Sequence, residues 1–131
     1  MRASRGEIKI EEILKEAELP FKMEYTFPDL NSPNGRPLRF DFVVFDDDGK
    51  IDFIIEYQGK QHYEPVDFAG KGEEWAKTQF RIIQKKDQIK REYCFCNNIP
   101  LIEIPYWIED AEVYLEEQIN RINKPIQLSF M

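Results

Sequence analysis

At 131 residues the chain has the length of one domain, and with 42% hydrophobic residues it can fill one continuous core. The net charge of −7 excludes a surface attractive to phosphates all round, and no stretch stays uncharged for the roughly 18 residues of a membrane span. Residues 1–6 lack an apolar leader core, so the expectation is a soluble, cytoplasmic protein in which Lys and Arg outnumber Asp and Glu only between residues 58 and 98.

Ser4 followed by Glu7 has the form of a capping box, and Ile8, Ile13, Leu14 and Ala17 recur at helical spacing before Pro20, which predicts a helix over residues 5–18. Phe21, Met23, Tyr25 and Phe27 alternate with Lys22, Glu24 and Thr26, the period of an edge strand with one wet face. Residues 28–37 hold three prolines, a glycine and two asparagines and predict a loop. Two apolar runs, 38–45 and 51–57, then flank Asp46, Asp47, Asp48, Gly49 and Lys50, and predict a central hairpin. That turn is no calcium loop, because the first and twelfth ligand positions would fall on Val44 and Ile55.

Residues 58–72 are polar and predict a long exposed loop; long loops in compact domains are often functional. A helix over 73–97 follows, with Ile82, Ile89, Tyr93 and Cys96 as its apolar row, then a short buried strand over 101–104 and a helix over 109–122. Residues 124–131 are either a tail or a docked extension. The order is helix, three strands, helix, strand, helix, and strands that are apolar on both faces need cover on both sides. This predicts a single α/β domain, a mixed four-stranded sheet flanked by helices. Cys94 and Cys96 suit neither a disulfide framework nor a zinc ribbon, and the one histidine of the chain adds no second ligand, so both are expected to be buried free thiols.

Alternation places Asp41 on the face of Val43 and Phe45, and Glu56 and Gln58 on the face of Ile54. Across a tight hairpin the two acids converge. Two buried carboxylates in proximity require a compensating cation or proton, and a hard divalent metal with oxygen ligands is the simplest. Taken singly, Asp41 fits a hydrogen-bonded strand acid and Glu56 a strand-end charge; their pairing is what points to a metal.

The words Arg39-Phe40-Asp41-Phe42 and Ile54-Ile55-Glu56-Tyr57-Gln58 resemble the PD-(D/E)xK pattern of restriction-endonuclease-like nucleases, an acid in one strand and E-x-K at the end of the next. Gln58 stands where that family has its lysine, so either Lys60 lends the charge or another residue is the base. The words Gln58-Gly59-Lys60-Gln61-His62-Tyr63 and Lys86-Asp87-Gln88-Ile89-Lys90 are similar to the branch of very-short-patch repair and phage homing endonucleases, with Glu7, Asp41, His62 and Asp87 in the family's order. The resemblance implies a restriction-endonuclease-like core and an endodeoxyribonuclease, with a phage or mobile element as a plausible source. It also implies Mg²⁺ or Mn²⁺ held by Asp41, Glu56 and the main-chain carbonyl of Tyr57.

Within that resemblance, His62 either accepts the proton of the attacking water or contacts the phosphate. Glu7 and Asp87 either support the site or are a capping acid and an ordinary helix-surface acid. Lys60, Lys71, Lys77, Arg81, Lys85 and Lys86 are the expected contacts to the DNA backbone, and Tyr57, Tyr63, Phe68 and Trp75 offer aromatic surface to bases. The alternative is a catalytically silent module of the same fold that grips nucleic acid or a protein. Monomer and homodimer both stay open.

Overall fold

The structure, a computed structural model, describes residues 4–123. Its elements are α1 (Arg5–Glu16), β1 (Phe21–Asn31), β2 (Pro37–Phe45), β3 (Ile51–Gln58), a single 3₁₀ turn (Lys60–His62), α2 (Glu73–Cys96), β4 (Leu101–Pro105) and α3 (Ala111–Asn123). The sheet order is β1-β2-β3-β4, with the first two pairings antiparallel and β3–β4 parallel. A parallel neighbour needs a long crossover, and α2 supplies it. The fold is therefore α/β, a mixed four-stranded sheet between helices, in the element order that the sequence predicts. The segment 124–131 lies outside the described residues.

Each face of the sheet carries its own core. On one side Ile10 and Leu14 of α1 and Leu115 of α3 pack on Phe42, Val44, Phe53, Ile55, Ile102 and Ile104. On the other, Cys94 of α2 packs with Leu30, Leu38, Phe40, Val43 and Ile54. The strict alternation of β1 and β2 breaks at their middle, and that of β1 again between Phe27 and Leu30, which both belong to the second core. Phe21 and Met23 join the first core but Tyr25 and Phe27 the second, and Phe42 and Val44 join the first but Phe40 and Leu38 the second. The slip falls at Glu24, which has φ 50°, and at Asp41 across from it. The slip in β2 thus lies between Phe40 and Phe42, at the residue that carries the Asp41 carboxylate.

Several boundaries differ from expectation for local reasons. Ser4 and Glu7 do form the capping box, but Ile10 and Leu14 are the buried face of α1, while Ile8 is 45% exposed. The helix ends at Glu16 because Glu18 turns left-handed (φ 57°) and Leu19 N–H donates to Leu14 O at 3.1 Å. β1 runs through Pro28 to Asn31: on an edge strand the missing N–H of proline costs no ladder bond, and Leu30 is buried. On α2 the buried residues are Ala76, Asp87 and Cys94, with Ile89 and Tyr93 beside them. Ile82 and Cys96 are exposed, since two residues turn a helix by roughly 200° and carry Cys96 away from Cys94. The loop after β3 is tightened by the 3₁₀ turn, and α3 starts at Ala111 because Asp110 caps it, accepting from Val113 N–H.

Candidate functional site

The β2–β3 ladder runs to Phe42 and Ile55 and then opens, while β3 continues beside β4. At the opening the two acids replace the missing backbone partners crosswise. Asp41 N–H donates to Glu56 Oε2 at 2.8 Å, and Tyr57 N–H donates to Asp41 Oδ2 at 2.8 Å. The hairpin thus locks its own carboxylates together at a fork in the sheet. Beside them lies a cavity of about 500 Å³, lined among others by Glu7, Asp41, Glu56, Lys60, His62 and Lys90.

The electrostatic cost of this arrangement falls on Asp41. Burial, then the Glu56 carboxylate and more weakly Glu7, push its pKa up to about 8, while the Tyr57 N–H and Lys90 pull the other way. Glu56 is 4% exposed and is paired with a cation: Lys90 Nζ sits 2.7 Å from its Oε1 and 5.5 Å above the Phe40 ring. Lys90 thus brings a cation to the end of β3, where the sequence has Gln58 two residues after Glu56. Sequence reasoning missed it, although its place three residues after Asp87 puts both on one face of α2. Lys60 lines the cavity but pairs with Glu64 at 3.6 Å, and both are more than half exposed, so it does not supply the charge at the carboxylates.

Gln58 is not where the pattern would put its catalytic group. It is 1% exposed, its Nε2 donates to Glu103 Oε2 of β4 at 3.2 Å, and its Oε1 has no partner among the described residues. Glu103 is also held by Arg91 Nε at 2.9 Å, so Gln58 belongs to a polar cluster under α2.

His62, at the end of the 3₁₀ turn, places Nδ1 2.8 Å from Asp87 Oδ2; Asp87 is buried and His62 is 20% exposed. A carboxylate accepting from Nδ1–H fixes the tautomer and leaves Nε2 as the free ring nitrogen. His62 also borders a second cavity, of about 550 Å³, with Arg81, Gln84, Lys85 and Arg91 on its walls. Asp87 is therefore a partner of the histidine rather than a solvated helix acid. Glu7 does two things at once: its Oε1 accepts from Ser4 Oγ at 3.0 Å, and it borders the carboxylate cavity without a hydrogen bond to His62 among the described residues. Gly6 lets α1 lie close against β3, since a Cβ there would collide with the Tyr57 ring.

Of the expected backbone contacts, Arg81, Lys85 and Lys86 gather around a further cavity near Ser32 and Asn34. Lys77 is tied to Glu73 and Glu74 on its own helix, and Lys71 stands 5.7 Å above Trp75. The aromatics divide likewise. Phe68 pairs with Trp75, Tyr57 packs against the first core, and Tyr63 joins Tyr106 and Trp107, neither of which stands out in the sequence.

Among the described residues, no group of three or more His, Cys, Asp or Glu side chains gathers in a form that could hold a metal ion. The donor set in question is smaller, two carboxylates and a main-chain carbonyl. It fits a hard cation such as Mg²⁺, which is commonly held by one or two carboxylates with water and substrate oxygens completing the shell. No helix among the described residues is long and apolar enough to cross a membrane.

The family model described as "Protein of unknown function (DUF2726)" matches residues 35–122, a span that includes Asp41, Glu56, His62, Asp87 and Lys90. The chain is 37% identical over 70 residues to Uncharacterized protein 307L of Invertebrate iridescent virus 6, covering 53% of this chain and 34% of the relative. It is 36% identical over 88 residues to Uncharacterized protein 094L of Frog virus 3 (isolate Goorha), covering 67% and 52%. With Uncharacterized protein 033L of Invertebrate iridescent virus 3 it shares 31% over 117 residues, covering 84% and 53%. The chain thus spans about half or less of the length of these curated relatives. No solved structure matches it.

Proposed function

From a chain that belongs to the DUF2726 family, we propose a metal-dependent endodeoxyribonuclease built on a restriction-endonuclease-like core. The observation that carries this reading is the crosswise lock of Asp41 and Glu56 at the fork of β2 and β3. Two acids buried against one another, with the pKa of one raised to about 8, need a proton or a cation, and a divalent ion is the compensation that would let both serve as carboxylates. The element order, the Lys90 ammonium and the His62–Asp87 pair support the same assignment.

Asp41, Glu56 and the Tyr57 carbonyl would hold the ion, Mg²⁺ or Mn²⁺. When bound, it supplies Lewis-acid charge to the scissile phosphate and to the attacking water. The chain's own groups divide the remaining work. Lys90 offsets the charge of Glu56 and stands ready to contact a phosphate oxygen at the cavity wall. His62, oriented by Asp87, offers Nε2 as acceptor for a water proton or as donor to the phosphate. Arg81, Lys85 and Lys86 extend a cationic surface along the flanking strand.

The test is incubation of the purified protein with plasmid, with mismatched duplex and with branched duplex, with Mg²⁺ or Mn²⁺ and with EDTA. Cleavage that EDTA abolishes is the expected result, and absence of metal-dependent cleavage of every form overturns it. A second reading, a silent module of the same fold, draws support from Lys90 already compensating Glu56 without a metal. It predicts no change in thermal stability on adding Mg²⁺ or Mn²⁺, whereas the nuclease predicts stabilisation that Asp41→Ala removes.

A further inference from the structure

Three aromatic side chains stand together beside the candidate site with one face in solvent. Tyr63 follows His62 at the end of the 3₁₀ turn, and its ring lies 4.6 Å from that of Trp107 and 5.9 Å from that of Tyr106. Tyr106 and Trp107, in the turn after β4, are 5.3 Å apart. Their exposures are 39% for Tyr63, 39% for Tyr106 and 56% for Trp107, too high for core packing in a structure whose two cores are elsewhere. The backbone beneath them is fixed, because Tyr106 N–H donates to Gln58 O at 2.9 Å and Tyr63 N–H to Lys60 O at 3.0 Å. Tyr106 also forms part of the wall of the carboxylate cavity. Rigid aromatic surface is thus continuous with the place where a phosphate would react.

The charge of the chain decides what such a surface can hold. With a net charge of −7 the protein gains little from non-specific attraction to a duplex, whose affinity comes mainly from phosphate contacts. Stacking does not need positive charge, but it needs a base whose face is open, and bases inside a duplex are already stacked. We infer that Tyr63, Tyr106 and Trp107 form a base-stacking platform that selects DNA with an unpaired base next to the scissile phosphate, as in single strands, frayed ends or branches. The inference rests on the nuclease reading for its second half only; the platform itself is a binding surface.

The full chain carrying Trp75→Phe keeps Trp107 as its only tryptophan, since the sequence has two. In EDTA, this protein is titrated with oligothymidylate, with a splayed-arm duplex and with a blunt duplex of equal length. Quenching of Trp107 fluorescence by the first two, at concentrations at least about tenfold below any effect of the blunt duplex, is expected. In parallel, anisotropy of a labelled single strand should report roughly tenfold weaker binding for Trp107→Ala and for Tyr63→Ala, with Trp107→Phe close to the parent. Equal affinity for blunt and splayed DNA, or alanine variants that bind like the parent, overturns the platform. Quenching without metal-dependent cleavage leaves the platform standing and removes the nuclease. Cleavage of all DNA forms at rates indifferent to Trp107→Ala does the reverse.

Discussion

Lys90 reaches from α2 to the end of β3, with its Nζ 2.7 Å from Glu56 Oε1 and both side chains largely buried. Removing one partner of a buried pair strands the other charge, at a cost of about 3–5 kcal/mol. Lys90→Ala should therefore lower stability by that order in chemical denaturation with EDTA present, and should also lower the cleavage rate. Lys60→Ala, at an exposed residue paired with Glu64, should change stability by no more than about 0.5 kcal/mol and the rate by a few-fold at most. If Lys60→Ala collapses activity while Lys90→Ala spares it, the cationic role belongs to the loop and not to α2.

Asp41 makes stability depend on pH in a direction opposite to that of most paired acids. Its pKa is raised from 3.8 to about 8, so between these values the folded chain keeps a proton that the unfolded chain has released. The unfolded state then binds fewer protons, and stability falls as pH rises through that window before levelling above it. Every tenfold change in proton affinity is worth about 1.4 kcal/mol, and the interaction with Glu56 spreads the titration over both acids, so a difference on the order of 2 kcal/mol is expected. Asp41→Asn should be more stable than the parent at pH 8 in EDTA and nearly equal to it at pH 4. It should also lose the stabilisation by Mg²⁺ and the cleavage activity. A parent and variant with parallel stability profiles from pH 4 to pH 9 would refute the buried, proton-holding Asp41.

What the sequence could and could not disclose follows from the range of each interaction. Periodicity is local, so the helices, the hairpin and the Asp41–Glu56 pairing across it are legible. The change of face between Phe40 and Phe42 was not, because the alternation slips where Glu24 turns left-handed, and glutamate gives no sign of doing so. Gln58 fits the E-x-K spacing, yet Glu103, 45 residues later, takes its amide. Lys90 lies 34 residues from Glu56, and only the fold brings them together. The faint signal was its helical spacing from Asp87, once Asp87 was assigned to the site. Tyr106 and Trp107 sit in a turn after Pro105 with no periodic context, so nothing local tied them to Tyr63.

The thiols offer a check on the packing of α2. Cys94 is 2% exposed, and burial, followed by the nearby Glu56 and Glu103 charges, pushes its pKa up to about 12. Cys96 is exposed on the opposite side of the helix. Thiolate is the reactive form, so a chromogenic disulfide reagent should modify one thiol promptly in the native protein and the second only as α2 unfolds. Mass mapping should place the fast adduct on Cys96. Two thiols reacting at one rate in native buffer would mean that Cys94 is not held under α2 against the sheet.

His62 and Asp87 test whether the pair acts on the reaction or only on the fold. On the proposed nuclease reading, His62→Ala should lower the cleavage rate by roughly 10²–10⁴, the usual loss for a general acid or base, while stabilisation by Mg²⁺ persists because His62 is not among the proposed donors. Gln58→Ala should cost less, since an amide cannot take up a proton near neutral pH and this one faces Glu103. Asp87→Asn is the sharper variant. The asparagine amide can donate to Nδ1, which would leave the proton on Nε2 and reverse the tautomer that the carboxylate selects. The expected outcome is a rate about 10- to 100-fold lower, with KM nearly constant and the pH profile of kcat displaced. A purely structural Asp87 would instead lower thermal stability and leave the pH profile where it was.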